Sequence, residues 1–125
     1  MLRGFTSALT LLMLVAASSP ARAETATWYG KENGPATASG ERFDPEGFCA
    51  DYPQHSCTCA HRTFAFGTHL KVRWRGRAVV CRVNGRGPNV TTGADLDLSR
   101  SGARVLGMVT TGRARVSIER VGRME

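Results

Sequence analysis

The tightest constraint on the fold lies between residues 69 and 83. His69-Leu70-Lys71-Val72-Arg73-Trp74 alternates polar and apolar side chains, the two-residue period of a half-buried strand. Ala78-Val79-Val80-Cys81-Arg82-Val83 is a second run, more apolar and so more central, and Arg75-Gly76-Arg77 between them makes a tight turn. Together they predict a β-hairpin.

The remaining segments are short and of the same kind. Residues 25–30 predict a first strand ending at a glycine, residues 31–40 a loop, and residues 43–47 a turn. Residues 48–60 show no clear period, and residues 63–68 form a loop around Gly67. Asn84-Gly85-Arg86-Gly87-Pro88 predicts a sharp end to the second hairpin strand. Asp95-Leu96-Asp97-Leu98 alternates and runs into one short helix, with Ser99 as N-cap and Gly107 as C-terminal stop. Residues 112–121 alternate Ala114, Val116, Ile118 and Val121 against Arg and Ser, a closing strand. Short strands, one short helix and Gly-rich turns fit a small closed β-barrel.

The start of the chain reads as a leader. Arg3 precedes a short apolar run over residues 8–17, and Ala21-Arg22-Ala23 supplies an Ala-x-Ala site, so cleavage is expected after Ala23. The apolar run is too short for a membrane anchor. Residues 24–125 are enough for one small domain, whose modest core gains from covalent staples. Cys49, Cys57, Cys59 and Cys81 all lie in that part, and an even count in an exported chain reads as two disulfides with three pairings open. His55, Cys57, Cys59 and His61 stand at every second position. In a strand such residues are about 7 Å apart and span roughly 20 Å, too far to share one ion, so no metal and no cofactor is expected. The formal charge is +7, and +5 without Arg3 and Arg22. A basic surface suits nucleic acid or envelope polymers, and export argues against nucleic acid.

There is no Gly-rich phosphate loop and no Ser-nucleophile elbow. The acid–base candidates are Glu41, Asp44, His61, Asp95 and Asp97. Three polar, loop-like segments, residues 37–41, 60–63 and 83–88, would place Glu41, His61 and Asn84 around one cleft. Glycoside cleavage needs a proton donor to the leaving oxygen and commonly a second carboxylate. One carboxyl suffices when the sugar's own hydroxyl is the nucleophile, because it then acts as acid and base in turn. Asp97 also stands where a carboxylate meets the free N–H groups of the following helix. Asp95, its alternate neighbour, is expected on the same side. His61 is a candidate to orient a carboxylate or a substrate hydroxyl. Trp28 and Tyr29 sit where strand meets loop, suited to stacking on a sugar or, for Trp28 equally, to packing in the core.

These residues lie in motifs that resemble the rare lipoprotein A (RlpA) family of bacterial septal lytic transglycosylases: Trp28-Tyr29-Gly30, Thr37-Ala38-Ser39-Gly40-Glu41-Arg42-Phe43, Ala60-His61-Arg62-Thr63, Phe66-Gly67-Thr68, Val83-Asn84, Arg86-Gly87-Pro88 and Asp97-Leu98-Ser99. The resemblance implies a small six-stranded double-psi β-barrel with one or two short helices, related to expansins and some endoglucanases. It implies binding of peptidoglycan glycan strands and cleavage between N-acetylmuramic acid and N-acetylglucosamine to a 1,6-anhydro product. It makes Glu41 and His61 functional positions; Trp28, Tyr29, Asn84, Arg86 and Asp95 are the candidate substrate contacts. Where the family motif carries its catalytic Asp, this chain has Gly85. Either Glu41, Asp95 or Asp97 takes that role, with Glu41 favoured and Asp97 second, or the barrel holds glycan without cutting it. Asp97 matches an Asp that expansin-like and endoglucanase barrels use in their clefts. A secreted inhibitor is a third reading. The expected disulfides are Cys59–Cys81 and Cys49–Cys57. The protein is expected in the periplasm or outside the cell, as a monomer with no stable membrane anchor.

Overall fold

In the computed structural model of the chain, residues 20–30, 36–42, 44 and 57–122 are described below. The strands are β1 (Arg22–Tyr29), β2 (Cys57–His61), β3 (His69–Trp74), β4 (Arg77–Gly85), β5 (Leu96–Ser99) and β6 (Ala114–Val121), and α1 (Arg100–Leu106) lies between the last two. They close into a barrel in the order β1-β5-β2-β4-β3-β6, with β6 returning to β1. The pairs β1–β5 and β2–β4 are parallel, and the other four are antiparallel.

Alternation builds the core. Leu70 and Val72 of β3, Val79, Cys81 and Val83 of β4, Leu96 and Leu98 of β5, and Val116 and Ile118 of β6 turn inward and are buried together. The β3–β4 turn is Arg75-Gly76, both with positive φ (47° and 76°). Two left-handed residues match the right-handed twist of the flanking strands. Arg75 bears its strained backbone while its guanidinium stacks 4.3 Å from the Trp74 ring.

Helix α1 begins where Ser99 caps it, its hydroxyl accepting from the Gly102 N–H. It ends at Gly107 in the left-handed region, where the Met108 N–H returns to the Ala103 carbonyl. Leu106 and Met108 thereby reach the core. A three-residue 3-10 turn, Val90–Thr92, follows the Gly-Pro loop and has no counterpart in the sequence reading.

Three expectations change. The stretch before His61 ends in a strand, β2, although its sequence shows no period. The reason is double-sided burial: Cys59 faces the core while Ala60 is covered from outside. Asn84 and Gly85 do not end β4 but belong to it. Strand β1 begins at Arg22, so Arg22 and Ala23, upstream of the expected cut, pair with Ile118 and Ser117.

Cys59 and Cys81 form a disulfide between neighbouring strands β2 and β4, as expected. Cys57 is also disulfide-bonded. The Cys49–Cys57 pairing involves Cys49, which lies outside the described residues.

Candidate active site

Four neighbouring strands present one row of outward-facing residues. Leu96 and Leu98 point into the core, so Asp97 between them points out. Asp97 is in register with Thr27 of β1 on one side and Ala60 of β2 on the other, and Ala60 is in register with Gly85 of β4. The row Thr27–Asp97–Ala60–Gly85 thus runs across β1, β5, β2 and β4. With strands about 4.8 Å apart, position 85 lies roughly 10 Å from position 97. Over the row opens a cleft of about 390 Å³, walled by Tyr29, residues 36–38 and the segment 84–89. Among the described residues Asp97 is the one carboxylate that lines it. The Thr27 hydroxyl donates to Asp97 Oδ1 at 3.0 Å. Burial of the neighbouring Tyr29 phenol, with the Asp97 charge nearby, pushes its pKa up to about 12, so it stays a neutral donor.

At Gly85 a Cβ would stand 3.1 Å from the Ala60 Cβ. The crowding comes from a register shift: Cys59 pairs with Val83, Ala60 pairs with Gly85, and Asn84 is the extra residue. Such a bulge re-aims a side chain. Asn84 turns into the cleft wall, 2% exposed. Its carbonyl accepts from the Ser39 N–H at 3.0 Å, docking the 37–41 turn.

Glu41 closes that turn but does not line the cleft. Arg82 grips its carboxylate with two bonds of 2.7 and 2.8 Å, and the Ser39 hydroxyl adds a third. The Arg82 guanidinium holds its pKa below the usual carboxylate range, and the Asn84 side chain donates to it as well. An ionised, four-bonded carboxylate is a poor proton donor. The favoured acid of the sequence reading therefore sits as the anchor of a turn.

His61 is not beside Glu41 and Asn84 either. Its parity on β2 is opposite to that of Ala60, and its ring lies buried against Glu24 and Phe64. Nδ1 accepts from the backbone N–H groups of Thr63 and Phe64, which leaves the proton on Nε2, 3.3 Å from Glu24 Oε2. It does orient a carboxylate, but that of Glu24. Burial pushes its pKa down, against the pull of Glu24. The neutral ring is thus the favoured folded form. Its stability contribution is complete above the unfolded value of about 6.5 and is lost as pH falls from there through the depressed folded value. Urea midpoints at pH 7.5 and 5.5 should fall further in the parent than in His61→Gln; equal falls would remove His61 as the cause.

Asp95 lies just before β5 and does not line the cleft. It accepts from the Thr25 N–H at 3.0 Å and pairs with Arg62 at 3.3 Å, and these contacts hold its pKa down. Arg62 also donates to the Pro88 and Ala94 carbonyls, so this pair pins the 88–95 loop. Arg86 lines the cleft, while its guanidinium bonds the His61 and Phe64 carbonyls and stacks on Phe66. Tyr29 lines the cleft; Trp28 does not, packing on the core with its indole N–H on the Val109 carbonyl. The partners Thr27, Glu24 and Arg82 carried no sequence signal, and Arg62 appeared only within a motif, since strand order alone decides what they meet.

Residues 21–118 match the family described as lytic transglycolase. The chain is 47% identical over 103 residues to the "Probable endolytic peptidoglycan transglycosylase RlpA" of Nostoc sp., covering 78% of this chain and 25% of that protein. It is 40% identical over 98 residues to the endolytic peptidoglycan transglycosylase RlpA of Pseudomonas aeruginosa, covering 76% and 26%. The chain thus spans about a quarter of the length of these relatives. Among solved structures it is similar in fold to the Streptomyces papain inhibitor, with a TM-score of 0.65 at 15% identity over 84% of this chain and 97% of that one. Cerato-platanin 3 from M. perniciosa is similar at a TM-score of 0.52 and 16% identity, over 81% and 95%. The family match over residues 21–118 and the identity to its RlpA members agree with the closed six-stranded barrel: the chain belongs to the lytic transglycolase family, as an RlpA-type double-psi β-barrel.

Proposed function

We propose that this barrel is an exported endolytic lytic transglycosylase acting on peptidoglycan glycan strands, with Asp97 as its acid and base. The observation that carries this is the place of Asp97: outward, mid-row, in a cleft whose other acidic neighbours are tied elsewhere. The names of the relatives supply the substrate class.

One carboxyl closes the cycle. Asp97, protonated, donates to the oxygen leaving C1 of N-acetylmuramic acid as the C1–O4 bond breaks. The resulting carboxylate takes the proton of the same sugar's 6-hydroxyl as O6 bonds to C1. The products are a 1,6-anhydro end and a free 4-hydroxyl, and Asp97 is protonated again. Water is not consumed, so a second carboxylate to activate it is not needed. Thr27 holds Asp97, and the neutral Tyr29 phenol stands near it.

Export rests on the leader pattern before Glu24, and with it a place in the periplasm or outside the cell. Among the described residues no helix is long and apolar enough to cross a membrane.

A second reading is favoured by one feature: Gly85 puts no side chain at the far end of the row, where the family pattern has its Asp. In that case the barrel binds glycan without cutting it. Release of soluble fragments from peptide-stripped glycan strands separates the two readings. Fragments that disappear in Asp97→Asn support cleavage; binding without fragments supports the second.

A further inference from the structure

One buried polar atom in the cleft has no partner. Asn84 is 2% exposed, yet its Oδ1 meets no hydrogen-bond donor. A buried acceptor left unpaired is costly, because it has given up water without gaining a donor. The orientation of this amide is not arbitrary. Arg82 keeps the Glu41 carboxylate ionised, and an ionised carboxylate only accepts, so the Asn84 group facing it is the donating Nδ2. Oδ1 is left as a fixed acceptor. The bulge at Asn84 sets this side chain in the wall of the cleft. The same lining includes three alanines, Ala36, Ala38 and Ala60.

An acceptor in a lining that also holds three alanines fits one common glycan substituent: a secondary amide carrying a methyl group. We infer that Asn84 reads the 2-acetamido group of the bound sugar, Oδ1 accepting its N–H while its methyl meets the alanine wall, and that Glu41 is a positioning residue that holds the amide in this orientation through its own ion pair with Arg82. This rests on the reading of the cleft as a glycan site. It gives Glu41 a role without proton transfer, consistent with its four-bonded, ionised state. It also makes discrimination depend on an N–H rather than on size or charge, because an analogue that puts an acceptor there leaves two acceptors facing each other.

The test uses the purified protein carrying Asp97→Asn, so that no turnover intervenes. Its probes are chitotetraose and the tetrasaccharide in which each 2-acetamido group is replaced by 2-acetoxy. The ester keeps the methyl and the carbonyl but has no N–H. Calorimetry should give about tenfold tighter binding of the amide, the worth of one buried hydrogen bond. Adding Asn84→Leu, of similar volume without an amide, should bring the ratio to within about twofold, a coupling read from the double-mutant cycle. If Asn84→Leu does not fold, Glu41→Gln carries the test: its amide no longer dictates which end of Asn84 faces it, and the ratio should fall at least about threefold while the melting temperature holds within a few degrees. A ratio near one in the starting protein overturns the inference. So does an undiminished ratio in whichever of the two variants folds. The fragment-release assay on the parent fails or succeeds independently: amide discrimination without fragments leaves Asn84 reading acetamido groups in a binding module, and fragments without discrimination leave the cleavage and remove this inference.

Discussion

Asp97→Asn is expected to lower the rate of fragment release from peptide-stripped glycan by at least about 10³-fold, since positioned acid–base groups contribute roughly 10²–10⁴ and here one group serves both half-steps. The substitution is nearly isosteric. Its carboxamide can still accept from the Thr27 hydroxyl, so the row and the cleft persist. What vanishes is an oxygen that gives up and regains a proton. Binding to insoluble glycan should stay within a few-fold of the parent, and the melting temperature within a few degrees. Two companions sharpen the result. Glu41→Gln should leave a far larger share of the rate, because that carboxylate anchors the 37–41 turn. Asp95→Asn should act on stability, since it loosens the Arg62 clasp on the 88–95 loop. An Asp97→Asn variant within tenfold of the parent would move the chemistry to another group.

The second large effect is on stability. Replacing both Cys59 and Cys81 by Ala should cost about 3 kcal/mol from loop closure alone, given a link that spans 22 residues. Both cysteines are fully buried in the core, so truncation also leaves a cavity. In a domain of this size each kcal/mol moves the melting temperature by about 4–8 °C, so a fall of more than about 12 °C is expected. The bridge joins β2 to β4, the strands that carry Ala60 and the Asn84 bulge. Activity should therefore fall before the global transition as the cleft loosens. A shift below about 3 °C by calorimetry would show that packing, not the bridge, holds these strands.

What could be read from the sequence was local. The hairpin over residues 69–83 and the helix from Ser99 to Gly107 announce themselves through period, turn and cap, each set by neighbours along the chain, whereas the extension of β4 through Asn84 and Gly85 does not. The six-stranded double-psi barrel came from resemblance, because a crossing of parallel pairs such as β1–β5 and β2–β4 leaves no trace in local pattern. β2 shows no period because it is covered on both sides. At the site, Asp97, Tyr29, Asn84 and Arg86 line the cleft, and Gly85 stands where the resemblance implies an Asp. Glu41, His61, Asp95 and Trp28 do not line it, and each for a tertiary reason: an Arg82 brought round by β4, a Glu24 across the barrel mouth, an Arg62 clasp, and a core facet under Val109. Candidate residue types could be found along the chain; which of them were already engaged could not.

The most direct test of the proposed chemistry is the end group it makes. Peptide-stripped glycan strands should be digested in water enriched in oxygen-18, and the new ends read by mass spectrometry. Intramolecular attack by the 6-hydroxyl should give 1,6-anhydro ends that carry no label. Reducing ends labelled with oxygen-18 would mean that water is the nucleophile, and no new ends at high protein and long times would mean that the cleft only holds its glycan; either result contradicts a transglycosylase built on Asp97.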